Sequence, residues 1–286
     1  MKNKIPPRLY HIANLWTMID YPSAKKEWSL DRKINEIKIA GFDGICALLT
    51  PQHQKLTEKL GLQSVGAFSS AKQSEFRSYI QQNIDGGAVH INVQVGDHDT
   101  PISKAIKLAV QVVEMGDKMG AKCAIEVHRD TATETPEKTY AIAAGFQKET
   151  GKLMPMTWDF SHLSIIKHLA PPYWDRLLTH PKLIQRAEQF HFRPFNGHHC
   201  QIPVTDRYGK ITLELQQWIP FLEKTLALWL QGNQNGREVF VIPEMGPVRG
   251  GYNISTLPNS WEEAKILRGI IDKAWKKALL NHGKKI

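Results

Sequence analysis

Glu126, Asp159, His191 and Glu244 are the side chains whose types and spacing could do chemistry together. Glu126 closes the apolar run Cys123-Ala124-Ile125, Asp159 closes the next such run, His191 the one after, and Glu244 the last in the chain. The first three fall one strand–helix unit apart, and Glu244 follows at a longer interval because a loop from Asn196 to Lys210 intervenes. Three carboxylates and an imidazole gathered without a cation would be costly, since even one unpartnered buried carboxylate costs several kcal/mol. Oxygen-rich ligation with one imidazole suits a single divalent ion, Mn²⁺, Mg²⁺, Co²⁺ or Zn²⁺. Taken singly, each residue has a plainer reading: strand-end acids are often helix N-caps, and a lone histidine is more often a satisfied, partly buried one. Their shared phase on consecutive strands is what favours a metal site.

That phase depends on the elements that carry them. Eight β-rich runs recur along the chain: Leu9–Trp16, Phe42–Leu49, Gln63–Ser69, Ala88–Gly96, Lys122–Arg129, Pro155–His162, Glu188–Phe195 and Val239–Gly246. Helical patterns lie between them. Leu30–Ala40 stops at Gly41, and Ile102–Met119 carries an apolar stripe ending at Gly120. Thr135-Pro136-Glu137 reads as an N-cap with proline at the first helical position, opening a helix that runs to Thr150 and Gly151. Leu213–Leu230 and Trp261–Leu280 supply the last two. Unbroken strand–helix alternation implies a parallel sheet, and eight units closing on themselves predict a (β/α)8 TIM barrel, one α/β domain over residues 1–286. An open doubly wound sheet would carry a glycine-rich turn after its first strand, and none follows Trp16. In a barrel the C-terminal strand ends share one mouth, so the four residues converge there. Strand parity agrees: Ala124, Glu126 and His128 share a face, as do His191 and Arg193, and Phe240, Ile242 and Glu244.

Bulk properties narrow the class. The 286 residues are 42% apolar and 23% charged, which suits one large globular domain. The stretch from Met1 to Leu15 has no signal-peptide core, and no apolar run is long enough to span a membrane. Cys46, Cys123 and Cys200 form no C-x-x-C pair, so reduced thiols in a cytoplasmic protein are expected. The formal charge of +9 is partly terminal, through Lys2 and Lys4 and a cluster from Lys273 to Lys285, and no basic run with interleaved aromatics marks a specific nucleic-acid surface. The sequence fixes no oligomeric state, and a homo-oligomer is compatible with it.

Ile-Glu126-Val-His, Trp-Asp159-Phe-Ser-His162, Phe-His191-Phe-Arg193 and Ile-Pro-Glu244 resemble the signatures of the xylose isomerase-like barrels. That superfamily holds sugar isomerases, ketose epimerases, an inosose dehydratase and trinuclear-zinc apurinic endonucleases. The resemblance implies that Glu126, Asp159, His191 and Glu244 ligate one metal ion and that His162 and Arg193 line a small carbohydrate substrate. His128 is a further candidate donor to substrate oxygens. His199 stands where the family's loop after the seventh strand usually has glycine, and it is taken as a substrate-side residue. His128-Arg129 also departs from the epimerase pattern. Trp16, Trp158 and Phe195 would offer an apolar wall, and His11 could reach the pocket or belong to the core.

Glu126 and Glu244 come from separated strands and so could flank a substrate. A metal chelating a carbonyl and its neighbouring hydroxyl would stabilise an enediolate, with one glutamate removing a proton and the other returning one. Return to the same carbon epimerises, return to the neighbouring carbon isomerises, and loss of a β-hydroxyl dehydrates. The expected function is a metal-dependent isomerase or epimerase, with a dehydratase as the alternative. An apurinic endonuclease ranks lower, because the third strand ends Gly66-Ala67-Phe68-Ser69 without histidine and Asp206-Arg207-Tyr208 stands where Asp-x-His would be wanted. A barrel kept only to bind sugar would have no need of an intact ligand set.

Overall fold

Side chains alternate along each strand, and here the two sets go to different places. The computed structural model describes residues 5–232 and 235–283. Its strands are β1 (Arg8–Asn14), β2 (Gly44–Ala47), β3 (Gln63–Ser70), β4 (Ala88–Val95), β5 (Cys123–Glu126), β6 (Met156–Trp158), β7 (Gln189–His191) and β8 (Glu238–Ile242). All pair in parallel and in sequence order, and β8 closes on β1 through Leu9 opposite Val239 and Tyr10 opposite Phe240. On β8, Val239 and Val241 face outward into the large core under the helices, while Phe240 and Ile242 face inward. The inward set makes a small barrel core with Tyr10, Ile12, Cys46 and Val65. This plug fills the lower barrel and leaves the upper end for polar side chains.

Among the described residues ten helices wrap the barrel: α1 (Leu30–Ile39), α2 (Pro51–Leu60), α3 (Gln73–Asp85), α4 (Ile102–Met119), α5 (Pro136–Thr150), α6 (Phe160–Ile166), α7 (Trp174–Leu177), α8 (Pro181–Gln185), α9 (Leu213–Leu230) and α10 (Ser260–Gly283). Local chemistry sets their ends. Thr135 accepts a bond from Lys138 N to cap α5, and Thr212 accepts one from Leu215 N to cap α9. Gly120 and Gly151 end α4 and α5 at φ of 78° and 71°, the left-handed turn that favours glycine. Glu134 and Asp130 take no part in capping α5: Glu134 pairs with Lys138, and Asp130 meets the His98 ring.

Pro155–His162, read from the sequence as one strand, is corrected. The ladder stops at Trp158, and Asp159 caps α6 by accepting a hydrogen bond from Ser161 N at 3.0 Å. Asp159 and His162 are thus one helical turn apart rather than neighbours along a strand. The three cysteines are free and buried. No helix among the described residues is long and apolar enough to cross a membrane.

Candidate functional site

Glu126 ends β5, Asp159 follows β6, His191 ends β7, and Glu244 lies two residues past β8. All four side chains point into the barrel mouth, and none of these residues is more than 5% exposed. His191 Nδ1 sits 3.0 Å from Glu126 Oε1 and 3.3 Å from Glu244 Oε2, so one imidazole nitrogen faces two carboxylates. Its Nε2 rests 2.6 Å from the Gln189 amide, which fixes the ring. Donor atoms of Glu126, Asp159 and His191 all lie within 4.8 Å of one another, a grouping that could hold a metal ion. Glu244 joins through His191 but stands outside that trio, because the Arg193 guanidinium bridges its Oε2 to Asp159 Oδ2.

Neutral amides hold the two glutamates. Glu126 Oε2 accepts from Asn92 Nδ2 at 2.6 Å and from Gln94 Nε2 at 2.8 Å. Glu244 Oε1 accepts from Asn14 Nδ2 at 2.8 Å. These three amides escaped sequence reasoning. The available signal was parity, since Asn92 and Gln94 alternate on β4 against Ile91, Val93 and Val95, which join the outer core.

Burial pushes every carboxyl here upward, and neighbouring cations overcome it. Glu126 ends below its ordinary value through His191 and His128, and Asp159 and Glu244 well below theirs, mainly through Arg193. Burial would depress His191, but Glu244 and Glu126 hold its imidazole well above the usual value. His162 goes the other way: burial lowers it to about 4 despite Asp159 Oδ2 at 3.2 Å from Nε2. The arrangement is one of ionised carboxylates around the Arg193 guanidinium and the His191 imidazole.

Above these residues opens a cavity of about 510 Å³ lined by Trp16, His128, Arg129, Arg193 and both glutamates, among others. His128 is half-buried, and its ring lies 4.1 Å from that of His162. His162 itself is fully buried beneath, against Asp159, so it orients that carboxylate instead of meeting the cavity. His199 is outside the site: it is exposed, and its Nδ1 lies 3.1 Å from Asn196 Oδ1. Trp158 and Phe195 are core residues, stacked on Phe160 and packed against Tyr173 respectively. His11 points to the helix layer, with Nε2 3.9 Å from Asp272 on α10. Of the expected aromatic wall, Trp16 alone lines the cavity.

The loop after β8 completes the rim. Trp16 Nε1 donates to the Gly250 carbonyl at 2.9 Å, the Tyr252 hydroxyl accepts from Arg193, and Arg249 pairs with Asp20 on the neighbouring loop after β1. Gly246 is required at its position, since a Cβ there would meet Tyr252 Cε2 at 2.3 Å and Trp16 at 2.5 Å.

No family model matches the chain, and no curated protein does. Solved structures do match, with low identity. A xylose isomerase-like TIM barrel protein from Mycobacterium smegmatis in complex with magnesium is 14% identical, with a TM-score of 0.57 over 93% of this chain and 97% of that one. A D-allulose 3-epimerase from Methylomonas sp. in complex with D-allulose is 14% identical, with a TM-score of 0.52 over 99% of each chain. A probable 3-DHS dehydratase from Bacillus anthracis is 12% identical, with a TM-score of 0.55 over 92% of this chain and 97% of that one. The class defined by these neighbours is the xylose isomerase-like barrel, and at this identity the likeness is one of fold. The resemblance read from the sequence motifs therefore returns in the three-dimensional architecture.

Proposed function

We infer that the chain is a divalent-metal-dependent isomerase or epimerase of a sugar or small hydroxy-carbonyl compound. The observation that carries this reading is the placement of Glu126 and Glu244 on either side of His191 Nδ1, each with one oxygen tied to strand amides. Glu126, Asp159, His191 and Glu244 would hold the ion. The donor set fits: Asp159 Oδ2 and His191 Nδ1 are buried, and although charged side chains lie 3.0–3.3 Å away neither makes a well-formed hydrogen bond, while three carboxylates with one imidazole suit a hard or borderline divalent cation. When bound, such an ion supplies Lewis acidity that acidifies the C–H bond beside a carbonyl.

The chain's own residues would do the rest. Glu126 Oε1 and Glu244 Oε2 are the carboxylate oxygens not bonded to an amide, so these are the atoms that would take and return the proton. Arg193 reaches both Asp159 and Glu244 and lines the cavity, where it can donate to substrate oxygens. His162 positions Asp159 from below, and His128 faces the substrate from the rim. The same proton-transfer pair would serve a dehydratase, a second reading that the dehydratase-named neighbour favours. A trinuclear endonuclease is disfavoured, because no other group of three such side chains converges among the described residues.

The experiment is elemental analysis of the purified chain, followed by incubation of the metal-loaded protein in D₂O with a panel of ketoses, aldoses and keto-inositols. One ion per chain and deuterium beside the carbonyl are expected. Full metal content with no deuterium incorporation from any member would overturn the reading.

A further inference from the structure

Among the described residues, the mouth holds one cation that the proposed chemistry leaves unused. Arg193 is balanced by Glu244 and Asp159, and Arg249 by Asp20. Arg129 lines the same cavity, but its polar partners are the Cys200 thiol, 3.1 Å from Nη1, and the Tyr252 hydroxyl. Thiol sulfur is a weak acceptor for a guanidinium. Among the described residues no carboxylate makes an ion pair with Arg129, and burial pushes the ionisation of the Tyr252 phenol up, which keeps it neutral. The two arginines stand on the same aromatic ring: the Arg129 guanidinium carbon lies 5.6 Å from the Tyr252 centroid and that of Arg193 lies 5.7 Å from it.

Charge balance gives this meaning. Glu126, Asp159 and Glu244 together cancel a divalent ion and Arg193, with His191 neutral when it serves as a ligand. Among the described residues Arg129 is then the uncompensated charge of the mouth, exposed at the rim with its guanidinium over the Tyr252 ring. A neutral polyol would leave it paired only to sulfur and a phenol, whereas an oxyanion would give it a charge-assisted, bidentate partner.

We propose that Arg129, with Tyr252 behind it, forms an anion subsite, and that the substrate is a carboxylated or phosphorylated hydroxy-carbonyl compound. The subsite rests on the carbohydrate-isomerase reading for its chemistry but not for its existence. Arg129 is a specificity residue and takes no part in moving the proton.

The test uses the full metal-loaded chain and its R129Q and R129K variants, with binding followed by isothermal titration calorimetry. The probes are inorganic phosphate and acetate, then D-fructose against D-fructose 6-phosphate and against 5-keto-D-gluconate. Loss of one charge-assisted contact should weaken phosphate or acetate binding about tenfold or more in R129Q, with R129K intermediate. Each charged ketose should bind about tenfold tighter than D-fructose to the natural chain, and that preference should vanish in R129Q while D-fructose affinity is unchanged. Whichever of phosphate and carboxylate shows the larger Arg129 dependence identifies the anion. Equal binding of the simple anions by the natural chain and R129Q would overturn the proposal. Arg129-dependent anion binding without any ketose bound or exchanged would uphold the subsite and instead overturn the carbohydrate reading.

Discussion

The barrel has a cavity at each end, of about 510 Å³ at the mouth and about 470 Å³ at the floor, and both are lined by charged residues. Size and polarity do not separate them; the way charge is held does. At the mouth, Glu126, Asp159, His191, Arg193 and Glu244 are nearly inaccessible and face one another from the ends of four strands. At the floor, the charges sit on loop edges and serve the chain itself: Arg237 donates to the carbonyls of Gln185 and Ala187, and Glu238 accepts from the Tyr10 hydroxyl. The buried titratable group there, His90, stacks on Phe240 with neither ring nitrogen bonded. At the mouth Arg193 and His191 hold a buried group of carboxylates ionised, a pattern that clusters at functional sites, whereas the floor's polar groups tie loop carbonyls and strand ends together.

The contrast breaks most visibly through the mouth carboxylates. E126Q, E244Q and H191A should each lower turnover by about a thousandfold or more and strip the ion, with a cooperative melt retained because the barrel core lies below them. D159N should do the same while still capping α6 through Ser161 N. Steady-state kinetics with metal analysis and thermal melts check this, and two variants keeping both metal and turnover would erase the distinction between the ends. H162Q should cost about ten- to a hundredfold in turnover, the range for a residue that orients a ligand, with kcat affected more than KM. G246A, which drives a methyl group into Tyr252 and Trp16, should raise KM several-fold (about three- to tenfold) with kcat little changed.

The floor gives the smallest effect on turnover: H90F should leave it unchanged. Its consequence is in stability against pH. Burial lowers the His90 pKa from the ordinary 6.5 to about 3. Between those values the unfolded chain binds a proton that the folded chain refuses, so His90 favours folding above pH 6.5 and that stability is lost as the pH falls toward 3. Urea melts of the metal-free protein at pH 7, 5 and 4 should show a shallower acid loss in H90F than in the natural chain. Parallel curves would mean that His90 is protonated without penalty, and the floor would then resemble the mouth.

The sequence carried one end of the molecule better than the other. All eight strands were legible because β-rich runs and bounding glycines repeat at one strand–helix period, and α4, α5 and α9 emerged with their observed ends. α2 was not individually visible: its sequence PQHQKLTEKL buries only Thr57, too little to print an apolar stripe. Strand ends ran long, as at Lys122–Arg129, because backbone stays extended at the mouth after the ladder has stopped. Site residues that carry charge announced themselves by type, whereas Asn14, Asn92 and Gln94 did not, since an inward amide and a solvent-facing one read alike. His199 was misplaced for a related reason: adjacency to a motif says nothing of which way a loop turns.

Those amides have an effect of their own. A side-chain amide neither gains nor loses a proton over the range in which proteins stay folded. Asn92 and Gln94 therefore grip Glu126 Oε2, and Asn14 grips Glu244 Oε1, whatever the protonation of the opposite oxygen. Within each carboxylate the two oxygens are made inequivalent, one a fixed pivot on neutral amides and one facing the titratable or cationic groups of the mouth. An incoming ligand would thus meet a proton donor or acceptor of defined stereochemistry on each side, and that handedness is set by β1 and β4, two strands that themselves bring no charge to the mouth.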